Sequence, residues 1–186
     1  MGRSDLQTCR TTATIFSFPF LILMGCAQPG EDGAGADATL PGASVVASTE
    51  DEGEVTRLAH DFMEALSSRD AERLDGLLAP QAAFFRLREG ESGPSYSVRH
   101  REEFLGGIAE SQTEFLERIW EPVVEVSGRI AMVWAPYDFH SQGSLSHCGI
   151  DVLALLKMAE GWKVTSITYN VVQESCPPSP LGPPGG

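Results

Sequence analysis

The order of helical and strand patterns along residues 51–175 predicts an α+β fold. Apolar residues recur at spacings of three and four from Val55 to Leu66, which is the period of an amphipathic helix. After Thr113 the sequence changes to long runs rich in β-branched and aromatic residues, separated by short turns that contain Gly. Helices followed by an antiparallel meander are typical of a domain with its helices on one side of a sheet.

The helical half is predicted to contain three helices and one short strand. The first helix begins with acidic residues, which the helix dipole favours there, and ends at Ser68. Asp70 is the predicted N-cap of a short second helix that Pro80 closes. A strand over 82–87 and a third helix over 102–109 follow.

Residues 1–25 are predicted to form a secretory signal peptide. An apolar run from Ala13 to Met24 follows a basic start and is too short to span a bilayer comfortably. The stretch Leu-Met-Gly-Cys that ends at Cys26 resembles the bacterial lipobox, whose cysteine becomes the lipidated first residue of the mature protein. The alternative is an ordinary signal peptide with a chance cysteine. Acylation of Cys26 would anchor an extracytoplasmic protein to the bacterial cell envelope, on the periplasmic side of the outer or inner membrane.

Two segments rich in Gly and Pro border the predicted domain. Residues 26–50 are predicted to be a flexible tether, and residues 176–186 a disordered Pro/Gly-rich tail. The stretch between them, 51–175, is long enough for one hydrophobic core but not for two.

The net charge of −13 argues against a nucleic-acid partner, because phosphate contacts require clustered Lys and Arg. The acidic segment before Arg57 would also be repelled by anionic headgroups, so lipid rather than charge is expected to hold the protein at a membrane. No cofactor is predicted.

The cysteines that stay in the exported domain are Cys148 and Cys176. Cys9 leaves with the signal peptide, and Cys26 is consumed by lipidation. Export to an oxidising compartment permits a disulfide between the remaining two, although sequence spacing alone cannot prove it.

The stretch PYDFHSQGSLSHCGID, residues 136–151, concentrates candidate polar groups in one hairpin. A two-residue turn at Gln142-Gly143 pairs Ser141 with Ser144, which predicts that Asp138 lies opposite His147. That pair could be a cross-strand ion pair or a catalytic acid–base pair. A metal site from His140, His147 and Asp138 has adequate ligand types, but no typical ligand spacing supports it, and no metal is predicted.

The same register assigns the hairpin's side chains to two faces, because side chains alternate along a strand. One face is predicted to carry Ile130, Met132, Trp134, Asp138, His140, His147, Asp151, Leu153 and Leu155. The other, uniformly apolar face is predicted to carry Ala131, Val133, Ala135, Tyr137, Cys148, Ile150, Val152 and Ala154.

The last hairpin turns at Ala159-Glu160-Gly161. A three-residue loop pairs Met158 with Trp162 and places Asp151 opposite Tyr169. That register turns Ile167, Tyr169 and Val171 towards the first of the two faces. A four-residue loop would shift the register by one and turn Ser166, Thr168 and Asn170 there instead.

Over residues 52–175 this pattern resembles the nuclear transport factor 2-like superfamily, with SHCGIDV and EGWKVTSI most similar to its SnoaL-like and putative lumazine-binding branches. The resemblance implies a cone in which a strongly curved sheet wraps over three helices and encloses a pocket. The superfamily includes steroid isomerases, dehydratases, polyketide cyclases and proteins without catalysis, so the fold indicates where the site is and not its chemistry.

The resemblance also assigns roles to individual positions. Steroid isomerases of this superfamily have an Ile-Asp-Val that aligns with Asp151, whose aspartic acid helps to hold the substrate oxygen. This chain has Phe62 where they have a tyrosine and Arg86 where they have the catalytic base, so their reaction is not expected. Arg86 and Asp151 together suit an anionic or polar ligand, or alternatively form an ion pair that closes the pocket. The predicted pocket residues are Phe62, Arg86, Trp134, Asp138, His147, Asp151 and Tyr169.

These observations favour a lipid-anchored module that binds a small, partly apolar ligand without catalysis, because no nucleophile–base arrangement is evident. The alternatives are an enzyme of the isomerase, dehydratase or polyketide cyclase type, and an interaction protein with a filled pocket. The apolar face, which includes Val133 and Val152, is expected to be the convex side of the sheet. Many members of the superfamily dimerise through that side, so a homodimer is expected.

Overall fold

The computed structural model describes residues 48–90 and 93–184 of the chain. The predicted signal peptide, the lipidation site at Cys26 and the predicted tether up to residue 47 lie outside the described residues. In chain order the elements are α1 (Thr49–Ser68), α2 (Ala71–Leu77), β1 (Leu78–Arg88), β2 (Ser95–His100), α3 (Arg101–Glu110), β3 (Phe115–Ile119), β4 (Val123–Ser127), β5 (Ile130–Ser141), β6 (Ser144–Met158) and β7 (Gly161–Val171).

Local signals fix the ends of the first two helices. The Ser48 side chain accepts a hydrogen bond from the Asp51 amide at 3.0 Å, so α1 begins two residues before the predicted domain boundary. Arg69 ends α1 in the left-handed region, with φ 59°. Asp70 accepts from the Arg73 amide at 2.9 Å, which is the N-cap predicted for α2. No described helix is long and apolar enough to cross a membrane.

The described strands form one sheet of seven strands in the order β2-β1-β7-β6-β5-β3, and β4 also pairs with β5. The β1–β7 pair is parallel and every other pair is antiparallel. β2 was not predicted. The run predicted as one long strand from residue 115 divides into β3 and β4, because the backbone turns at Glu121, with φ 45°. The α+β class and the three helices on a curled sheet are as predicted.

The core lies between the helices and the inner face of the sheet. α1 buries its predicted apolar stripe, including Val55, Phe62 and Leu66. The sheet contributes alternate residues of β5 and β6 such as Val133 and Leu153, both fully buried. Burying a side chain of this size contributes roughly 1.5–3 kcal/mol, so the helices and the inner face hold each other in place.

A β-bulge changes the predicted faces of the β5–β6 hairpin. Ser141 pairs with Ser144 as predicted, but Ser146 is an extra residue, and beyond it Phe139 rather than Asp138 lies opposite His147. An extra residue reverses the face of one strand relative to the other. The face predicted for β6 is therefore correct and that predicted for β5 is wrong. The four β5 residues expected on the convex face, Ala131, Val133, Ala135 and Tyr137, lie in the core.

A second bulge restores the predicted register of the last hairpin. Its loop has two residues, since Met158 pairs with Gly161, and the predicted pairing of Met158 with Trp162 is wrong. Thr165 is the extra residue that shifts the register back, and Asp151 lies opposite Tyr169 as predicted. The β7 residues Ile167 and Tyr169 thus face the inside of the sheet, although the loop length was misjudged.

The C-terminal tail is attached to the outer side of the sheet. A disulfide joins Cys148 on β6 to Cys176, with their Cα atoms 5.8 Å apart. Beyond it, the carbonyl of Gly182 accepts a hydrogen bond from Arg118 at 3.0 Å. The structure describes the tail up to Pro184, and the predicted disorder of residues 176–186 stays a prediction.

Candidate functional site

A cavity of about 370 Å³ lies between the helices and the inner face of the sheet. It is lined by Phe62, Leu66, Phe84, Arg86, Arg88, Arg99, Phe104, Gly107, Ile108, Ser111, Phe115, Glu117, Phe139, His147, Asp151, Ile167, Tyr169 and Val171. Its volume is within the range of small-molecule pockets, roughly 300–1,000 Å³. Apolar side chains form most of its wall, and the polar groups are few.

Two carboxyl groups meet in the cavity wall, on β6 and β3. Asp151 is 1% exposed, and its Oδ2 atom has no hydrogen-bond partner among the described residues. Asp151 and Glu117 lie close enough for their carboxyl groups to share a hydrogen bond. Two carboxyl groups can share a hydrogen bond only if one of them is protonated.

Burial shifts both titrations in the same direction. Burial raises the pKa of Asp151 well above its usual value, and the neighbouring Glu117 charge raises it further. Burial raises the pKa of Glu117 to about 7, partly offset by the hydrogen bond with Asp151. Asp151 therefore holds the proton of the pair more tightly than Glu117.

Glu117 was missed by the sequence analysis, although a signal for it exists. In FLERI the side chains alternate, so Glu117 shares a face with Phe115 and Ile119. Ile119 is buried and Phe115 packs against the core. An acidic residue between two inward-facing apolar residues on a short strand could have been identified as a pocket residue.

A tyrosine, a glycine and an asparagine pack together near these carboxyl groups, without lining the cavity. The buried Tyr137 hydroxyl donates to the backbone carbonyl of Asn170 at 2.9 Å, and the Asn170 side chain accepts from the Ile150 amide at 2.8 Å. A Cβ at Gly149 would lie 2.0 Å from that carbonyl oxygen and 2.8 Å from the Tyr137 ring. Gly149 in SHCGIDV therefore permits the tyrosine ring to cross β6 at close range.

Three arginines line a different part of the cavity. Arg86 and Arg88 lie on the same face of β1 as Phe84, at every second position. Arg99 on β2 pairs with Phe84 in the sheet. Arg99 donates to the Tyr169 hydroxyl at 3.4 Å, and its guanidinium lies 5.9 Å from the centre of the Phe104 ring. The β7 strand places Tyr169 between Arg86 and Asp151 in the sheet.

His147 is a neutral member of the cavity wall. Its ring stacks on Phe139 with centroids 4.7 Å apart. Burial, assisted by the positive charges of Arg88 and Arg86, lowers the pKa of His147 to about 4. The imidazole is therefore uncharged at neutral pH and is not half of an ion pair.

Aromatic rings form the helix-side wall. Phe84 and Phe104 stack with centroids 3.8 Å apart, and Phe62 lies within 6.4 Å of both rings. These residues come from β1, α3 and α1, so the wall exists only when all three elements pack together. It offers a flat apolar surface to a ligand.

Of the predicted pocket residues, the structure places Phe62, Arg86, His147, Asp151 and Tyr169 at the cavity. No ion pair joins Arg86 to Asp151 among the described residues, so the predicted closing pair is absent.

Trp134 and Asp138 do not reach the cavity, because the bulge at Ser146 turns the even-numbered residues of β5 outwards. Trp134 is 46% exposed on the outer face. Asp138 is buried on that face, where it accepts hydrogen bonds from Arg118 at 2.9 and 2.6 Å. The predicted pairing of Asp138 with His147 is therefore wrong.

The pKa of the outer acid Asp138 shifts in the opposite direction from the pKa values of Asp151 and Glu117. Burial alone would raise the pKa of Asp138, but hydrogen bonds from Arg118 and Ser179 lower it below its usual value. His140 lies 3.4 Å from the same carboxylate. Within residues 48–90 and 93–184, no group of three or more His, Cys, Asp or Glu side chains is arranged to hold a metal ion.

Comparison with known proteins agrees with this architecture. The solved NTF2-like protein from Cytophaga hutchinsonii is 12% identical, with a TM-score of 0.56, and the match covers 68% of this chain and 100% of that chain. A superfamily member from Salmonella enterica is 15% identical, with a TM-score of 0.54, over 75% of this chain and 99% of that chain. A putative dehydratase of the NTF2-like family from Streptomyces avermitilis is 21% identical, with a TM-score of 0.54, and the match covers 66% of this chain and 96% of that chain.

At these identities the solved structures establish the fold alone. No curated protein matches the chain. The family model described as putative lumazine-binding matches residues 50–170, which span both the helices and nearly the whole sheet. The chain therefore belongs to the putative lumazine-binding family, and its fold is that of the solved NTF2-like structures.

Proposed function

We propose that this domain is a small-molecule-binding module whose ligand occupies the cavity between the helices and the sheet. The observation that carries the proposal is the unpartnered Oδ2 atom of Asp151, which lies in the cavity wall at 1% exposure. A buried polar atom without a partner costs about 1–3 kcal/mol, and a bound ligand would recover that cost.

The wall indicates a ligand that is partly apolar. The stacked rings of Phe62, Phe84 and Phe104 favour a flat or branched apolar body. The Asp151 and Glu117 carboxyl groups require a polar group at one end of that body. Family membership supports the same type of function, since the family is described as lumazine-binding.

Native mass spectrometry of the purified protein tests this proposal. A retained small molecule, or a mass shift with an added library compound, is the expected result. Asp151→Leu should lose it, because the variant removes the polar contact and fills part of the cavity. Arg57→Gln is the matched control, since that exposed side chain on α1 does not line the cavity and should leave binding unchanged. A cavity that binds nothing in a broad library contradicts the proposal.

A second candidate function is acid–base catalysis by the carboxyl pair. A carboxyl group whose pKa is raised to about 7 suits proton transfer at neutral pH, and Glu117 is such a group. The acid–base pair would be Glu117 with Asp151, not the predicted Asp138. Exchange of a ligand proton for deuterium, followed by NMR, would support catalysis if Glu117→Gln slows it at least 100-fold. Equal exchange in the variant contradicts it.

We also propose that the module is exported and lipid-anchored at Cys26 in the bacterial envelope. The lipobox-like sequence Leu23-Met24-Gly25-Cys26 motivates the proposal, and the Cys148–Cys176 disulfide suits an oxidising compartment. Cys26→Ser should release the protein from the membrane fraction after a high-salt wash, because the lipid would be the attachment. Retention of the variant on the membrane contradicts the anchor.

The outer face is proposed to form a homodimer, with different residues from those first predicted. Exposed apolar side chains of β4, β5 and β6 form it: Val123, Ile130, Met132, Trp134 and Leu156. Adjacent strand positions bring them together, since Trp134 pairs with Val123 and Ile130 with Leu156. Trp134→Lys should convert a dimer to a monomer in sedimentation experiments, whereas a monomeric wild-type protein at micromolar concentration contradicts the dimer.

A further inference from the structure

We propose that the cavity binds an organic oxyanion, with a carboxylate or phosphate group held by Arg86, Arg88 and Arg99 and an apolar body against the phenylalanine wall. The inference rests on the proposed binding function and specifies its ligand class. It is argued from the cationic side of the cavity, which the carboxyl pair does not explain.

Two of the cavity arginines, Arg88 and Arg99, differ from the other half-buried arginines of the domain. Arg73, Arg101 and Arg118 each form an ion pair with a carboxylate. Across residues 48–90 and 93–184, neither Arg86, Arg88 nor Arg99 has such a partner. The contacts recorded for Arg88 and Arg99 are weak ones to neutral groups, Gln173 and Tyr169, both at 3.4 Å.

One atom of this cluster is buried without a partner. The Nε–H group of Arg88 is shielded from solvent and donates to no acceptor among the described residues. Together with the unpartnered Oδ2 of Asp151, it gives the cavity an unused donor on β1 and an unused polar atom on β6. A ligand with an anionic end and a polar far end would satisfy both.

The charge balance makes this cluster unusual for the chain. The sequence has 26 acidic and 13 basic residues, yet three of the basic ones line one cavity. Burial raises the pKa of both acidic residues that line it, Glu117 and Asp151, so the negative charge that offsets the arginines is reduced. Guanidinium groups bind carboxylates and phosphates through paired N–H donors.

The depth of the groups orients the ligand. Arg86 is exposed and Arg88 and Arg99 are half-buried, whereas Asp151 is fully buried. The anionic group would therefore lie towards solvent, and the other end of the ligand would reach Asp151. The Phe104 ring lies beside Arg99, so the apolar body would begin directly beyond the anionic group.

A matched set of probes tests the inference by isothermal titration calorimetry with the purified protein. The probes are 2-naphthoate, 2-naphthyl phosphate and the neutral 2-naphthamide. We expect at least one of the two anions to bind about tenfold or more tightly than the amide, because hydrogen bonds to charged groups are stronger than those between neutral groups. The preferred anion distinguishes carboxylate from phosphate. Added salt should weaken anion binding and leave amide binding unchanged.

Two arginine variants test which side chains bind the anionic group. Arg86→Gln and Arg88→Gln should each weaken binding of the preferred anion by about tenfold while leaving the amide affinity unchanged. Arg57→Gln is the control, because that exposed arginine on α1 does not line the cavity. Unchanged amide affinity also shows that each variant is folded.

Each outcome has a distinct meaning. Amide binding as tight as that of both anions overturns the anionic class and leaves the binding function intact. Anion binding that is unaffected by Arg86→Gln and Arg88→Gln overturns the assignment of the arginines. Failure of all three probes to bind at millimolar concentration contradicts both the inference and the binding function.

Discussion

Two buried acids on opposite faces of the same sheet have opposite environments. On the outer face, Asp138 accepts two hydrogen bonds from Arg118. The side chain of Asp138 is 4% exposed and that of Arg118 is 16% exposed. On the inner face, Asp151 is equally buried, but its partner is a second acid, Glu117. Glu117 and Arg118 are consecutive residues of β3, so adjacent positions supply a cation to one face and an acid to the other.

The difference separates a structural role from a binding role. The outer pair satisfies its own charges, and the tail from Cys176 to Gly182 covers it. Among the described residues, the inner pair leaves one oxygen without a hydrogen-bond partner, in a cavity whose three arginines form no ion pair. A buried charge that is fully paired stabilises one arrangement of the chain, whereas an unpaired polar group in a cavity is available to a ligand.

Removing the outer cation should have the largest effect on stability. Arg118→Gln leaves Asp138 buried without its ion-pair partner, and breaking a buried pair in this way costs about 3–5 kcal/mol. Urea unfolding at pH 7 would measure the loss. Arg57→Gln, at an exposed position, should change the free energy of unfolding by less than about 0.5 kcal/mol. A loss below about 1 kcal/mol for Arg118→Gln would show that the outer pair is not structural.

Opening the disulfide should have the next largest effect, again on the outer side. The bond closes a 28-residue separation between Cys148 and Cys176, and replacing both cysteines by alanine should cost about 2–4 kcal/mol. A reductant should lower the stability of the wild-type protein by a similar amount and leave the variant unchanged. Ligand affinity should be retained, because the tail lies on the opposite face from the cavity. Equal stability with and without reductant would contradict the bond.

The inner pair should produce a smaller, pH-dependent effect. The folded-state pKa of Glu117 is raised from 4.5 to about 7, so the folded protein binds more protons than the unfolded chain between these values. This contribution to stability is complete below about pH 4.5 and is lost as the pH rises through 7. Glu117→Gln should remove it.

The comparison of wild type with Glu117→Gln measures this pH-dependent contribution to stability. His147, with its pKa lowered from 6.5 to about 4, has the opposite effect, because it opposes folding as the pH falls through the same range. Urea unfolding of both proteins at pH 5 and pH 8 should show the wild type losing more stability on going to pH 8. A pH dependence that is identical in the two proteins would contradict the raised pKa of Glu117.

Removing the inner acid should have the smallest effect on stability. Asp151→Leu replaces a poorly satisfied carboxyl group with an apolar side chain of similar size, and we expect a change within about 1 kcal/mol or a gain. Asp138→Leu is the matched change on the outer face and should be strongly destabilising, because it leaves Arg118 without its partner. A loss of several kcal/mol in Asp151→Leu would indicate a structural role for that acid.

The sequence by itself determined the fold class, the position of α1, the N-cap at Asp70 and the inward direction of Asp151. Each of these depends on short-range periodicity or on one residue type, and both are visible along the chain. The alternation in β6 was sufficient for Asp151, because its neighbours Leu153 and Leu155 are buried on the same face.

Only the tertiary structure decided which residues join Asp151. The bulges at Ser146 and Thr165 each insert one residue into a ladder, and a shift of one residue exchanges the faces of a strand. The first bulge turns Trp134 and Asp138 away from the cavity. The second bulge compensates for a loop that is one residue shorter than predicted, so Asp151 still lies opposite Tyr169. Glu117 and the three arginines line the same cavity as Asp151 only because β1, β2 and β3 curl around the same helices. Contacts between distant strands leave no periodic signal in the sequence.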